Sequence, residues 1–223
     1  MNEAYSEASP SAGKLDERFL TLRRLTNHWA RPATPRAYYW YLEFENSPTL
    51  ISMVKDCQKA ISFPYYDLTP PSGLHLTLDR IAFEDDISPN QLRSIEAAAV
   101  RACEETAPFT VTIGHLGGTP GAIGFSASPT DTVRNLRDTL REATLSVYSN
   151  APVKGAEFHS HVAIAYCNTD GVPANQVVAA VERMNALPSV DVTVRQTSLV
   201  VLERRPGAYV WQTVSRIALS GGS

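Results

Sequence analysis

Two stretches of this sequence share one pattern: LHLTL at residues 74–78 and SHVAI at residues 160–164. In each, apolar or β-branched residues follow a histidine without an interrupting Gly or Pro, which is typical of a β-strand. Because side chains alternate faces along a strand, the histidine and the residue two places later share one face. An imidazole can transfer a proton and a neighbouring hydroxyl can stabilise an oxyanion. Two such strands facing each other across a groove would place a base and an acid on opposite sides of one phosphate.

The paired motifs resemble the signature of the two-histidine (2H) phosphoesterases, also called the 2',5'-RNA-ligase-like superfamily. That signature is a pair of His-x-Thr/Ser motifs, each on a strand flanked by apolar residues. His75 and Thr77 match the first motif in full, whereas the second matches at His161 but has Ala163 where the family has Thr or Ser. The resemblance extends from about residue 27 to residue 219. It implies an α+β fold of two pseudo-symmetric lobes around a central groove, each lobe a mainly antiparallel sheet with outer helices.

The resemblance also implies an activity, a metal-independent phosphodiesterase without a cofactor. The reaction would be hydrolysis of a 2',3'-cyclic phosphate or a related phosphodiester, or the reverse joining of RNA ends through a 2',5' bond. His75 and His161 would act as general acid and base, in an order that the sequence leaves open, and Thr77 would contact the phosphate. The alternative is a catalytically weakened module that binds a nucleotide or an RNA end. Ala163 motivates it, because losing one oxyanion donor costs on the order of 10²–10³ in rate.

Composition and charge restrict the partners of the chain. The 223 residues, 43% of them hydrophobic and 19% charged, are ordinary for a soluble globular protein. A formal net charge of -3 argues against binding to extended nucleic acid, which normally requires a basic face. A nucleotide or RNA-end phosphate needs only a few local cations, for which Arg31, Arg36, Arg80 and Lys154 are available. We expect a monomer with such a substrate.

The cysteines and the chain ends indicate the compartment. Cys57, Cys103 and Cys167 are odd in number and far apart, so we expect free thiols in a reducing environment. The N-terminus lacks a basic segment leading into an apolar run, and no window has the length of a membrane span. We therefore expect a cytoplasmic protein without membrane contact.

The domain organisation follows from composition. Residues 1–30 are expected to be an N-terminal tail with a short helix, and residues 31–223 a single bilobal domain. Residues 1–14 are rich in Ser, Ala and Glu, which predicts disorder. Apolar residues then recur at helical spacing up to residue 25, which predicts an amphipathic helix. They are Leu15, Phe19, Leu22 and Leu25.

Prolines and apolar patterns predict the remaining elements. A proline in the first turn of a helix costs no hydrogen bond, and four helix starts carry this signal. They are Pro48, Ser88-Pro89 with Gln91 placed for a capping box, Ser128-Pro129, and the region of Pro173. Strands are expected at residues 37–45, 74–83, 109–116, 122–127, 158–167, 190–203 and 209–219. Helix, loop, His strand, helix and strand thus follow in order at 48–116 and again at 129–203, which indicates a structural duplication.

Aromatic residues on the outer strands are candidates for substrate contact. In the first strand Tyr39, Tyr41 and Glu43 share one face, and Trp40 lies on the other. Tyr39 and Tyr41 would then face the groove, where a phenol can donate to phosphate or stack on a base. Trp211 in the last strand is a similar candidate. The alternative for all three is ordinary packing on a sheet, and the sequence does not decide between the two.

The remaining histidines and glycines have simpler interpretations. His159 and His161 form a His-x-His pair, but no third ligand lies nearby in the sequence, so we expect no metal site. His28 and His115 lack a partner pattern and are expected to be surface or structural residues. The glycine-rich stretch at 117–121 lacks the Lys-Ser/Thr ending of a phosphate-binding loop, and we expect a hairpin turn there.

Overall fold

The computed structural model describes residues 17–32, 34–152, 158–184 and 186–221. The expected disordered tail at 1–14 and Lys154 lie outside these ranges. Within them the strands are β1 (Ala37–Glu43), β2 (Tyr66–Leu68), β3 (His75–Phe83), β4 (Phe109–Thr119), β5 (Ala122–Ser128), β6 (His161–Cys167), β7 (Val190–Val194), β8 (Gln196–Arg205) and β9 (Ala208–Ala218). The α-helices are α1 (Glu17–Leu20), α2 (Pro48–Ala60), α3 (Pro89–Cys103), α4 (Thr130–Leu145) and α5 (Asn175–Met184).

The strands form two antiparallel sheets. The first sheet has the order β3-β1-β8-β9, and the second has the order β2-β6-β5-β4-β7. Helices α3 and α4 pack beside β9 and β3 of the first sheet, while α2 and α5 pack against strands of the second. The expected α+β fold of two antiparallel lobes with outer helices is confirmed.

The two sheets share one apolar core. Trp40 and Leu42 from the first sheet belong to the same buried cluster as Ile123 and Ile164 from the second. Helix α2, which leads into β3, packs on the second sheet, whereas α4, which leads into β6, packs against β3. Because each of these helices contacts the sheet of the other His strand, the lobes are held together and the His strands lie side by side.

The order of elements agrees with the expected duplication. A strand, a helix, a His strand and a second helix occur as β1-α2-β3-α3, with the short β2 inserted between α2 and β3, and again as β5-α4-β6-α5. In each set the first strand pairs antiparallel with the His strand. The repeated unit therefore begins one strand earlier than the helix at residue 48 or 129.

Most helix starts lie where proline predicts them. Helix α2 begins at Pro48, and Ser88 caps α3 with Gln91 in a reciprocal capping box. The hydroxyl of Ser88 accepts from the Gln91 N–H, and the Gln91 side chain accepts from the Ser88 N–H. Pro129 is the N-cap of α4. The start near Pro173 is α5, which begins two residues later at Asn175.

One expected strand is wrong. Residues 190–203 do not form a single strand, because β7 ends at Val194 in the second sheet and β8 begins at Gln196 in the first. The chain changes sheet at Arg195. This stretch contains neither Gly nor Pro, so its local β-propensity does not mark the break, and pairing with different neighbours determines it.

Two further predictions are corrected at the edges of the fold. Helix α1 ends at Leu20, so the predicted helix to residue 25 is wrong: the Leu25 N–H donates to Val172 O at 2.8 Å instead of continuing a helix. Phe19 and Leu25 are buried in the main core. The domain boundary at residue 30 stays a prediction. Residues 66–68, expected to be loop, form β2 and pair with β6.

The three cysteines are free and buried, as expected, and burial raises the pKa of Cys57 and of Cys103 to about 11. None of the helices in the described ranges combines the length and the apolar character needed to cross a membrane.

Candidate active site

His75 is the first residue of β3 and follows a short 3-10 turn at Pro71–Gly73. Its Nδ1 lies 2.9 Å from the carbonyl oxygen of Gly73. A carbonyl can only accept, so Nδ1 carries the proton and donates it. In the neutral ring Nε2 is then left without a proton, as a general base requires.

His161 repeats this arrangement at the start of β6. Its Nδ1 lies 2.8 Å from the carbonyl oxygen of His159, again the residue two places earlier. The same reasoning gives a ring that donates through Nδ1 and presents Nε2. His161 is exposed to solvent, whereas His75 is half-buried. The two histidines therefore have matching local geometry but different surroundings.

His75 and His161 lie on strands of different sheets, and the space between the His75 face of the first sheet and the His161 face of the second is the candidate groove. Strands β3 and β6 contact each other across the two sheets. The charge of His161 lowers the pKa of His75, although burial is the larger cause. Tyr166 of the second sheet packs against Tyr209 of the first with ring centroids 5.4 Å apart, which joins the two faces at one end.

Aromatic rings enclose the His75 imidazole. Tyr41 stacks on it with centroids 4.3 Å apart and planes at 18°, and Trp211 lies edge-on at 4.9 Å. Burial lowers the pKa of His75 to about 4, and the nearby charge of His161 adds to this effect. The hydrogen bond to Gly73 and the charge of Glu43 oppose it. His75 is therefore held neutral at pH 7.

Thr77 lies beside this cluster, where the sequence predicts it. It is directly opposite Tyr41 in the β3–β1 register. Tyr39 lies two residues earlier in β1, with its ring centroid 5.8 Å from that of Tyr41, and it is directly opposite Arg80 in β3. Burial raises the pKa of both tyrosines, so each phenol keeps its proton.

Small residues surround His161 on the second sheet. Ala163 is opposite Gly124, and a Cβ on Gly124 would lie 2.6 Å from Val162 O. Ser126 is directly opposite His161, and its hydroxyl donates to Gly114 O at 2.9 Å. The second motif thus has no hydroxyl at position 163.

Ser160 faces away from the groove, as the strand alternation predicts. It is buried, and its hydroxyl donates to Ala127 O at 2.5 Å. His159 is half-buried. No group of three or more metal-ligating side chains occurs in the part of the chain that the structure describes.

Each His strand contains a β-bulge three residues after its histidine. Leu78 is the extra residue in β3, because Thr77 and Asp79 pair with consecutive residues of β1. Ile164 is the extra residue in β6, because Ala163 and Ala165 pair with consecutive residues of β5. A bulge reverses the alternation beyond it. The residue five places after each histidine therefore lies on the groove face.

These two residues are Arg80 and Tyr166, and strict alternation assigns both to the wrong face. Arg80 is opposite Tyr39, and its guanidinium lies over the Phe83 ring at 4.5 Å. Tyr166 packs on the His28 ring at 4.5 Å. A bulge without Gly or Pro leaves no signal in the sequence, so neither position could be assigned from the pattern.

His28 belongs to an aromatic cluster with Trp29, Tyr166 and Tyr209. Its Nε2 lies 2.8 Å from the Tyr209 hydroxyl, and burial lowers its pKa to about 4. The Trp29 indole donates to Asp67 at 2.8 Å. The structural role expected for His28 agrees with this packing, although nothing in the sequence predicts these partners.

The sequence pattern of the 2'-5' RNA ligase superfamily matches residues 47–206. Comparison with curated protein sequences finds no significant match. Among solved structures, TT0787 of Thermus thermophilus superposes with a TM-score of 0.65 and 20% identity, over 84% of this chain and 100% of that one. Escherichia coli LigT complexed with 3'-AMP has a TM-score of 0.61 and 17% identity, over 84% and 99% of the two chains. LigT complexed with NADP+ has a TM-score of 0.60 and 17% identity, over 84% of this chain and 99% of that one.

These likenesses define the two-lobed α+β architecture of LigT as the fold class of this chain. The matched region covers most of the chain and includes both His motifs. The chain belongs to the 2'-5' RNA ligase superfamily, which confirms the resemblance to the 2H phosphoesterases drawn from residues 75, 77 and 161.

Proposed function

We propose that this protein is a phosphodiesterase that hydrolyses a 2',3'-cyclic phosphate or a related phosphodiester, with His75 as general base and His161 as general acid. The observation that carries the proposal is the matched pair of imidazoles, each donating through Nδ1 to a backbone carbonyl, at the starts of the contacting strands β3 and β6. The structure of LigT with 3'-AMP supports a nucleotide as the substrate class.

The roles follow from the surroundings of each ring. Burial keeps His75 neutral, so its Nε2 can take a proton from the attacking water. His161 is exposed to water, which solvates a charged imidazolium, so it suits proton donation to the leaving oxygen. Water oxygen bonds to phosphorus, the bond from phosphorus to the leaving oxygen breaks, and one proton moves at each histidine. The two imidazoles supply both proton transfers, and RNA-end ligation needs the same two transfers with the 5'-hydroxyl of an RNA end as the attacking oxygen in place of water.

A groove hydroxyl would stabilise the charge on the phosphate. Thr77 is half-buried and can turn its hydroxyl toward a non-bridging oxygen, whereas Tyr41 is only 1% exposed and supports the His75 ring by stacking on it. Tyr39 and Trp211 border the same space and would contact the nucleoside. Arg80 adds a cation on this face.

The direct test is turnover of 2',3'-cyclic nucleotides in the presence of EDTA. We expect His75→Ala and His161→Ala each to reduce kcat by about 10²-fold or more, since general acid–base catalysis contributes on that order. His115→Asn removes an exposed histidine from the bulge of β4, at a positive φ that asparagine tolerates, and is the control. Equal rates for wild type and His75→Ala would refute the catalytic assignment.

A second function is favoured by Ala163, which provides no hydroxyl opposite Gly124. The protein would then bind a nucleotide or an RNA end in the same groove with little turnover. Calorimetry with mononucleotides and cyclic nucleotides would detect saturable binding without product, and Ala163→Thr would increase turnover. Absence of binding to every nucleotide would eliminate this function.

A further inference from the structure

A mostly buried carboxylate lies directly opposite the candidate base. Glu43 is the last residue of β1 and is directly opposite His75 in β3. Its side chain is only 9% exposed. The Nδ1 of His75 is already bonded to Gly73, so this nitrogen is not available to Glu43.

Four donor groups from β8 and β9 surround this carboxylate. Ser198 donates to Oε2 at 2.5 Å, and the Arg216 Nε lies 3.7 Å from the same oxygen. The indole Nε1 of Trp211 donates to Oε1 at 2.9 Å, and Thr213 donates to it at 3.2 Å. An ionised carboxylate only accepts hydrogen bonds, and these partners match that form.

Trp211 connects the carboxylate to the imidazole. An indole has a single N–H donor, and here it is used on Glu43. The same ring lies edge-on to His75 at 4.9 Å and to Tyr41 at 5.4 Å. Loss of the Glu43 contact would free Trp211 to turn, and His75 would lose one of the two rings that enclose it.

We infer that Glu43 is a positioning residue for His75: its carboxylate holds Trp211 against the imidazole and places one negative charge beside it. This inference rests on the proposed function, in which His75 takes a proton from water. The imidazolium formed at that moment lies opposite Glu43, and an opposite charge within a partly buried site stabilises it. The titratable and charged groups facing His75 in the described structure are Tyr41, Glu43 and His161, with Arg216 behind Glu43.

A purely structural role for Glu43 is the competing explanation, because its bonds to Ser198 and Thr213 also join β1 to β8 and β9. The pKa of His75 distinguishes the positioning role from the purely structural role. The charge of Glu43 raises the pKa of His75, so its removal must lower that pKa further. A Glu43 side chain that only joined β1 to β8 and β9 would leave the pKa of His75 unchanged when its charge is removed.

The experiment compares Glu43→Gln with Glu45→Gln. Glutamine keeps the size and an acceptor for Trp211 but removes the charge. Glu45 is the matched control, since it lies two residues away, also contacts Arg216 at 3.4 Å, and is 37% exposed. We expect Glu43→Gln to move the acid limb of the kcat/KM profile to lower pH, and Glu45→Gln to leave it at the wild-type position.

A second variant tests the positioning directly. Trp211→Phe keeps an aromatic ring but cannot donate to Glu43, so the ring is no longer held. We expect kcat to fall by about tenfold to a hundredfold, as displacement of a catalytic group does. The acid limb moves less than in Glu43→Gln, because the charge remains.

Imidazole NMR titration of His75 distinguishes failure of this inference from failure of the proposed function. A lower His75 titration midpoint in Glu43→Gln, with no change in Glu45→Gln, supports the inference. It does so even if the wild-type protein shows no turnover, because absence of turnover would refute only the catalytic proposal. Turnover with an unchanged midpoint and an unchanged acid limb in Glu43→Gln would overturn the inference and leave the catalytic proposal intact.

Discussion

Acidification is expected to destabilise this protein through His75. Burial lowers the pKa of His75 from 6.5 to about 4. Between these two pH values the unfolded chain binds a proton at His75, whereas the folded protein does not. Stability is therefore full above pH 6.5 and falls as the pH drops toward 4. Because the pKa of His75 is lowered in the folded protein, the folded state is favoured when the His75 ring is neutral.

The magnitude follows from the two pKa values. At pH 5 the proton linkage of one such histidine lowers the free energy of unfolding by about 2 kcal/mol relative to pH 7.5. His28, whose pKa is also lowered from 6.5 to about 4, adds a similar amount. The same shift keeps His75 available as a base in mildly acidic solution.

Urea unfolding at pH 7.5 and pH 5.0 measures this effect. We expect His75→Asn to reduce the difference in free energy between the two pH values by about 2 kcal/mol relative to wild type. His115→Asn is the control, because His115 is exposed and asparagine tolerates its positive φ of 49°. A His75→Asn variant with the full wild-type difference would refute the claim that the folded protein holds this imidazole neutral.

Three further outcomes test the scaffold of the groove by urea unfolding. Asp79→Asn should lower the free energy of unfolding by about 3 kcal/mol, because it removes the charge partner of Arg141. Arg141 lies 2.6 Å from Asp79 and is 16% exposed, and an unchanged free energy of unfolding would contradict the ion pair. Gly124→Ala should cost about 2 kcal/mol, since its Cβ would overlap Val162 O, and wild-type stability would contradict the close strand approach. Ser88→Ala should cost about 1 kcal/mol through loss of the N-cap of α3, while Ser88→Gly costs only a few tenths.

Local signals in the sequence predict several parts of this fold well. Alternation along residues 37–43 separates Trp40, which is in the main core, from Tyr39 and Tyr41, which are on the groove face. Ser88 and Gln91 define the start of α3 through short-range hydrogen bonds. Such features depend on neighbours within a few residues, so the sequence pattern contains them.

The features that the sequence does not reveal depend on distant partners. The bulges at Leu78 and Ile164 arise from pairing with β1 and β5, and they bring Arg80 and Tyr166 to the groove. The role of Glu43 requires β8 and β9, more than 150 residues later in the chain. Strand parity places Glu43 beside Tyr41, and a carboxylate at the end of a predicted groove strand is the signal that could have identified it.

The central claim is that His75 and His161 flank one phosphate. A crystal structure with a bound 2'- or 3'-mononucleotide tests it most directly. We expect the Nε2 atoms of both histidines to lie about 3 Å from oxygens of the same phosphate, with Thr77 beside them. A phosphate bound elsewhere, or one reached by only one of the two imidazoles, would contradict it.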